Sequence, residues 1–262
     1  MNIHSTAIVD PGARLADDVE VQAYSIIGPQ VSLGAGTVVG PHCVIEGRTE
    51  IGERNRFFSG AQIGVLSQDL KHRAGLVGRL TMGDDNVVRE HASISASTHS
   101  SEADDHRLTS IGSNCLVMTS AHVGHDSHIG SHVIIANYVA IAGHVEVEDR
   151  AIIGGLVAVH QFCRIGTLAM IGGTTRVWND APPFMITDGN PARCAGPNKV
   201  GLQRNGFDDG ARKRIKLMYK IVWRSHLNTS QALERIENEI EDSHDKRYFI
   251  EFVRNSTRGI TR

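Results

Sequence analysis

The stretch "AHVGHDSHIG", residues 121–130, brings His122, His125, Asp126 and His128 within seven positions. Side chains of these types support two kinds of chemistry. An imidazole titrates near neutral pH, and an adjacent carboxylate can fix its tautomer and stabilise the imidazolium, which makes a general base. Three or four imidazoles and carboxylates converging on one point make a zinc site, for which His122, His128 and His132 are candidates. The bland alternative is a row of polar residues facing water. Spacing along the chain does not choose among these; position in space does.

Counting by eighteen supplies that position. His125, Gly143 and Gln161 fall in one series, and Asp126, His144 and Phe162 in the series beside it, with His160 next to Gln161. If the backbone returns to the same edge every eighteen residues, then His125, Asp126, His144, His160 and Gln161 converge on three consecutive turns. That convergence favours general-base catalysis. Gly143 has no side chain, so its N–H could approach a developing oxyanion.

The elements that impose this step are legible as a repeat of six. Apolar residues stand at Ile3, Val9, Leu15, Val21 and Ile27 and continue in step to Ile63. The register returns at Met82, Val88 and Ile94, then runs from Ile111 to Val177. Slim residues recur four positions after the apolar one, as at Thr37, Cys43, Ala61, Ala121, Ala151 and Ala169. Hexapeptide repeats of this kind specify a parallel β-helix. Three hexads make one triangular coil, coils stack at about 4.8 Å, and a narrow prism has little room for rings, which fits the 5% aromatic content.

The expected fold is therefore mainly β: a parallel β-helix over residues 1–185, with surface excursions at 64–81 and 95–110 where the repeat breaks. Residues 186–200 read as a turn-rich connector. A small α-helical C-terminal domain follows over 201–262, from the stripes Ile215, Met218, Tyr219, Val222 and Leu233, Ile236, Ile240, with a third beginning at Phe249. The net charge of −2 gives no general case for nucleic acid or a membrane surface as a partner. Cys43, Cys115, Cys163 and Cys194 show no CxxC spacing, and no signal peptide or long apolar run is present. Free thiols in a reducing cytoplasm are expected, with the cysteines as small core residues.

"QDLK", "AHVGHD", "IAGHVEVED", "AIIGG", "AVHQF", the run "GNPARCAGPNKVGLQRNGF" and the terminal "STRGITR" carry a resemblance over nearly the whole chain. The chain resembles the acyl-carrier-protein-dependent UDP-N-acetylglucosamine O-acyltransferases, which begin lipid A synthesis. The resemblance implies a left-handed solenoid, a homotrimer with clefts between subunits, and transfer of a 3-hydroxyacyl chain to the sugar 3-hydroxyl. It implies His125 as general base, Asp126 as its partner and the Gly143 N–H as oxyanion donor. Asp69 and Lys71 would contact the sugar and its phosphates. His144, His160 and Gln161 would line the sugar and pyrophosphate pocket with His122 nearby, and Asn198 and Arg204 would hold the nucleotide. Gly173 would stand at the position that limits acyl length, and here sets no side-chain stop. No cofactor or metal is implied beyond the phosphopantetheine of the acyl carrier protein.

Four positions depart from the family pattern. Ser95 and Ala96, in "ISAST", replace a histidine and an arginine, and Val200 and Asn205 replace a glutamate and a second arginine. These changes leave open N-acylation of a 3-amino UDP-sugar and a diverged paralogue; the histidines leave, as a lesser alternative, a trimeric hexapeptide-repeat zinc carbonic anhydrase. Between Gly201 and Arg224 seven basic residues face only Asp208 and Asp209, an excess that would attract an acidic carrier protein.

Overall fold

The computed structural model describes residues 1–70, 77–99 and 108–262. Strands mostly of two residues alternate with tight corners and stack into three sheets of eleven, nine and eight strands, one for each face of a triangular prism. The first face starts at Asn2–Ile3, the second at Ile8–Val9 and the third at Arg14–Leu15. His122 pairs in parallel with Ala140, and Ala140 with Ala158, so the eighteen-residue step is the register of the ladder.

The second residue of each short strand points inward, and a ladder only two residues wide makes that choice unambiguous. Ile27, Ile45, Ile63, Ile94, Val123, Ile141 and Val159 form one such buried row. Each buried side chain of this size contributes about 1.5–3 kcal/mol. The slim positions fill the prism corners. Cys43 and Cys115 are buried there, with thiols donating to the carbonyls of Phe58 and Gly130, each at 3.1 Å. All four cysteines are free and buried. Burial pushes the Cys43 and Cys163 thiols up to about 11 and Cys194 up to about 12, which makes them poor nucleophiles.

Both excursions leave from one edge, between the second and third faces. Gln62–Val65 closes a second-face strand and Arg79–Met82 opens a third-face one; Ser93–Ser95 and Thr109–Ile111 flank the other excursion in the same way. The excursions are shorter than the sequence suggests. Residues 65 and 79–81, and 95, 109 and 110, stay in the ladders, as in the pairing of Arg79 with Arg48 and Thr109 with Leu80, and the register shifts across Gly64. Backbone pairing persists there although the apolar rhythm has lapsed. Leu80 takes the inward place two residues ahead of Met82, and both are buried.

The stretch 186–200 is also more than a connector. Met185–Asp188 pairs in parallel with Met170–Ile171 and extends the first face, and Arg193–Pro197 returns antiparallel to it. Four helices follow: α1 Lys199–Arg204, α2 Asp209–Arg224, α3 Thr229–Glu239 and α4 His244–Arg254. Asn198, Asp208, Asn228 and Ser243 cap their N-termini with side-chain acceptors. The helical stripes converge on a second core that includes Leu168, Phe184 and Met185 of the solenoid. The end of the chain is pinned back on the prism. Asp180 accepts from Ser256 Oγ at 2.6 Å, its N–H donates to Gly259 and its carbonyl accepts from Thr261 N–H.

Candidate active site

The corner that ends the second-face strand His122–Val123 carries His125 and Asp126. It lies on the edge from which both excursions depart. His125 Nδ1 lies 2.7 Å from Asp126 Oδ2, with His125 15% and Asp126 5% exposed. A carboxylate can only accept, so Nδ1 carries the proton and Nε2 keeps its lone pair. Asp126 takes the corner conformation at φ 55°. Its N–H donates to Thr109 Oγ1 at 2.8 Å. Its carboxylate also accepts from the Thr98 hydroxyl at 2.8 Å and from the Thr98 N–H at 3.2 and 3.3 Å. Burial pushes the Asp126 carboxyl up, but the bonds from His125 and Thr98, with the nearby His144, outweigh it and hold the group below the usual aspartate range.

One coil further, Gly143 lies directly against the imidazole. A Cβ at position 143 would come within 2.5 Å of His125 Cε1 and Nε2, so the close approach requires glycine. His144 meets His125 edge-on, with ring centres 5.1 Å apart, and its Nε2 is 3.8 Å from Asp126 Oδ2. Its other side stacks on Phe162 at 4.7 Å. Desolvation lowers the His144 pKa, Asp126 opposing and His125 adding to the shift. From the first excursion Asp69 brings Oδ2 to 4.0 Å from His125 Nε2. An imidazole, its carboxylate partner, a backbone that hugs the ring and the Asp69 carboxylate thus occupy one edge. A proton acceptor held in one tautomer beside a polar opening suits removal of a proton from a bound hydroxyl.

Known proteins resemble the chain over its full length. Residues 180–261 match the family model "Udp N-acetylglucosamine O-acyltransferase; Domain 2", and residues 108–143 match "Bacterial transferase hexapeptide (six repeats)". Over 262 residues, 100% of both chains, the sequence is 47% identical to the acyl-[acyl-carrier-protein]–UDP-N-acetylglucosamine O-acyltransferase of Anaeromyxobacter sp. (strain Fw109-5). The chain belongs to that family. The fold matches LpxA from Acinetobacter baumannii with a TM-score of 0.93 at 40% identity, covering 99% of each chain. It matches the UDP-N-acetylglucosamine O-acyltransferase of Moraxella catarrhalis RH4 with a TM-score of 0.93 at 36% identity, covering 100% of each. The solenoid is a left-handed parallel β-helix, and the chain is an acyltransferase. Neither the 3-amino acceptor nor the zinc hydratase is favoured.

Within this acyltransferase fold the remaining residues fall in distinct places. His122 lies on the second face in the strand before His125, and its Nδ1 is 2.8 Å from Ser93 Oγ. Burial lowers its pKa, with His125 adding to the shift. His160 and Gln161 line a neighbouring hollow of about 320 Å³ with Ala142, Ala158, Arg176 and Trp178. His160 stacks on Trp178 at 4.8 Å, and the Arg176 guanidinium lies 4.1 Å from the centre of the Trp178 ring. Gln161 thus lies beside the imidazole cluster, where no hydrogen bond ties it to His125. Lys71 lies outside the described residues. Gly173 is exposed at the corner between the first and second faces, where an added Cβ would meet Gly155 O at 3.3 Å.

Asn198 and Arg204 do not join His125 on its edge. The buried Asn198 amide caps α1, accepting from Gly201 N–H, and donates to Leu168 O at the corner between the third and first faces. Arg204 is exposed in the last turn of α1. Asn205 accepts from Arg150 on that same edge. Ser95 and Ala96 are both buried, and Val200 is 60% exposed.

His125, Asp126 and His144 offer atoms within 4.8 Å of one another, a set that could hold a metal ion. His128 and His132 do not add to it. His128 bonds Ser110 on the third face, and His132 stands at the corner beyond. Among the described residues of a single chain, His122, His128 and His132 do not come together as a zinc set. Sequence counting overlooked Thr98 and Thr109, because the second excursion interrupts the eighteen-residue step. The one available signal was that Thr98 closes the "ISAST" motif.

Proposed function

We propose that this chain performs the reaction its family is named for, with His125 as general base. His125 Nε2 removes the proton from the 3-hydroxyl of UDP-N-acetylglucosamine. The oxygen attacks the thioester carbonyl of an acyl chain on acyl carrier protein and forms the C–O bond. The carbonyl electrons move to an oxyanion, to which the Gly143 N–H donates. Collapse breaks the C–S bond, and the departing thiolate takes the proton from the imidazolium. Asp126 holds the ring and balances its charge throughout. Thioesters are already activated, so this route draws on no metal and no cofactor beyond the carrier's phosphopantetheine. The proposed acyl group is a 3-hydroxyacyl chain, and the reaction opens lipid A synthesis. The observation that carries the reading is the 2.7 Å His125–Asp126 bond with Gly143 packed on the same ring.

Three finer readings belong to the same proposal. The working enzyme is a homotrimer. Supporting this, Asn198 and Arg204 lie near a different prism edge from His125, so a neighbouring copy can supply them to its cleft. The donor's acidic carrier docks on the basic side of α2. There Lys199, Lys216, Lys220 and Arg224 surround a hollow of about 640 Å³ floored by Ile186, Ala195, Pro197 and Tyr219. Finally, the enzyme works in the cytoplasm, where reduced thiols persist; no helix among the described residues is long and apolar enough to cross a membrane.

The test is acyl transfer by His125→Ala from acyl carrier protein to UDP-N-acetylglucosamine. The expected loss is about 10²–10⁴-fold in kcat, with the melting temperature unchanged. Wild-type turnover would remove His125 from the base role.

A further inference from the structure

Asp126 is gripped by residues from both ends of the second excursion. Thr98, where the excursion begins, donates its hydroxyl to Oδ2 at 2.8 Å and its N–H to Oδ1 and Oδ2 at 3.2 and 3.3 Å. Thr109, where the chain re-enters the third face, accepts the Asp126 N–H at 2.8 Å. The same carboxylate oxygen serves two imidazoles unequally: His125 Nδ1 stands 2.7 Å away and His144 Nε2 stands 3.8 Å away. A carboxylate turns readily about its last bond, because torsions to planar groups are broad. Left to itself, it could share its charge with His144 at the expense of His125. Three donor contacts from one residue oppose that turn.

We infer that Thr98 is a positioning residue for acyl transfer, fixing the Asp126 carboxylate on His125 rather than His144. The inference rests on the assignment of His125 and Asp126 as base and partner. It gives the second excursion a role independent of substrate contact, since its first residues orient the base by way of Asp126. Thr98 moves no proton. Its effect belongs in turnover and not in the binding of either substrate, because no contact with sugar or acyl chain is invoked.

A double-mutant cycle tests this. Thr98→Val removes the hydroxyl at nearly constant volume and keeps the backbone N–H. We expect kcat to fall about tenfold, KM for both substrates to stay within about twofold, and Thr98→Ser to recover turnover to within about threefold of wild type. In the Asp126→Ala background, Thr98→Val should cost nothing further. Thr98→Ala, which cannot overpack the site, should reproduce the loss if the valine variant proves unstable. Unchanged kcat in both Thr98→Val and Thr98→Ala overturns the inference, as does an equal loss with Asp126 present or absent. If Asp126→Ala itself turns over at the wild-type rate, the base-and-partner assignment falls and takes this inference with it. If Asp126→Ala fails and the Thr98 variants do not, only this inference falls.

Discussion

A histidine becomes a base through its neighbours, and at His125 each neighbour has one task. Asp126 accepts the hydrogen bond from Nδ1–H and so leaves the lone pair on Nε2. Gly143 contributes the absence of a side chain. An alanine there would set its methyl carbon 2.5 Å from His125 Cε1 and Nε2, well inside contact distance. The atoms it would strike belong to the ring, so either the imidazole turns away from Asp126 or the corner backbone retreats. Both outcomes separate base from oxyanion donor. Gly143→Ala should therefore lower kcat by about tenfold or more, of the order seen when one oxyanion donor is lost or moved. Thermal melting should barely change, because position 143 lies at a corner and not in the prism core. Steady-state acyl transfer with both substrates saturating checks this, and a variant as fast as wild type would mean that the ring need not sit where it does.

Elements gather these residues because a corner recurs once per coil. The excursions were legible as interruptions, but their edges were not. Val65 and Arg79–Thr81 lack the six-step apolar signal, yet their backbones keep pairing, and pairing does not depend on side-chain type. The return strand Arg193–Pro197 was hidden by "GNPARCAG", whose glycine and proline mark the hairpin turn as readily as a loose linker. Helix α1 has six residues, too few for a period to show. The stripes of α2, α3 and α4 were plain because each spans three or more turns. The basic residues of α2 divide once folded: Arg214 pairs with Asp245 of α4 at 3.1 Å and Arg212 with Asp209, while Lys216, Lys220 and Arg224 face the hollow beside Pro197. If that face receives an acidic carrier, Lys216→Glu with Lys220→Glu should raise KM for acyl carrier protein about tenfold or more at low salt and leave kcat near wild type. Raising ionic strength should weaken wild-type binding toward that of the variant, since exposed charges are screened beyond about 8 Å at physiological salt. A KM that ignores both the charge reversal and the salt would place the carrier elsewhere.

At the scale of the whole molecule, a prism of three faces separates groups that a single cleft would have to share. His125 stands on the edge between the second and third faces. Asn198 is tied to Leu168, and Asn205 to Arg150, on the edge between the third and first. One hexad of chain lies between those edges, on the order of 20 Å if extended at about 3.3 Å per residue. The six-step rhythm made the fold and the His125–Gly143 column readable, because both follow from counting. It could not reveal which edges belong to one cleft, since in the proposed homotrimer that depends on a second copy. In the proposed homotrimer, the His125 edge of each subunit would lie against the Asn198 and Arg204 edge of the next. Two inactive variants then become complementary. His125→Ala keeps Arg204, and Arg204→Ala keeps His125. Refolded together in equal amounts, they should form about a quarter of clefts with both residues intact, by random choice of two neighbours. Acyl transfer at limiting UDP-N-acetylglucosamine should recover to about that fraction of wild type, although each variant alone stays near background. If base and nucleotide contacts came from the same chain, every mixed cleft would lack one of them and mixing would restore nothing.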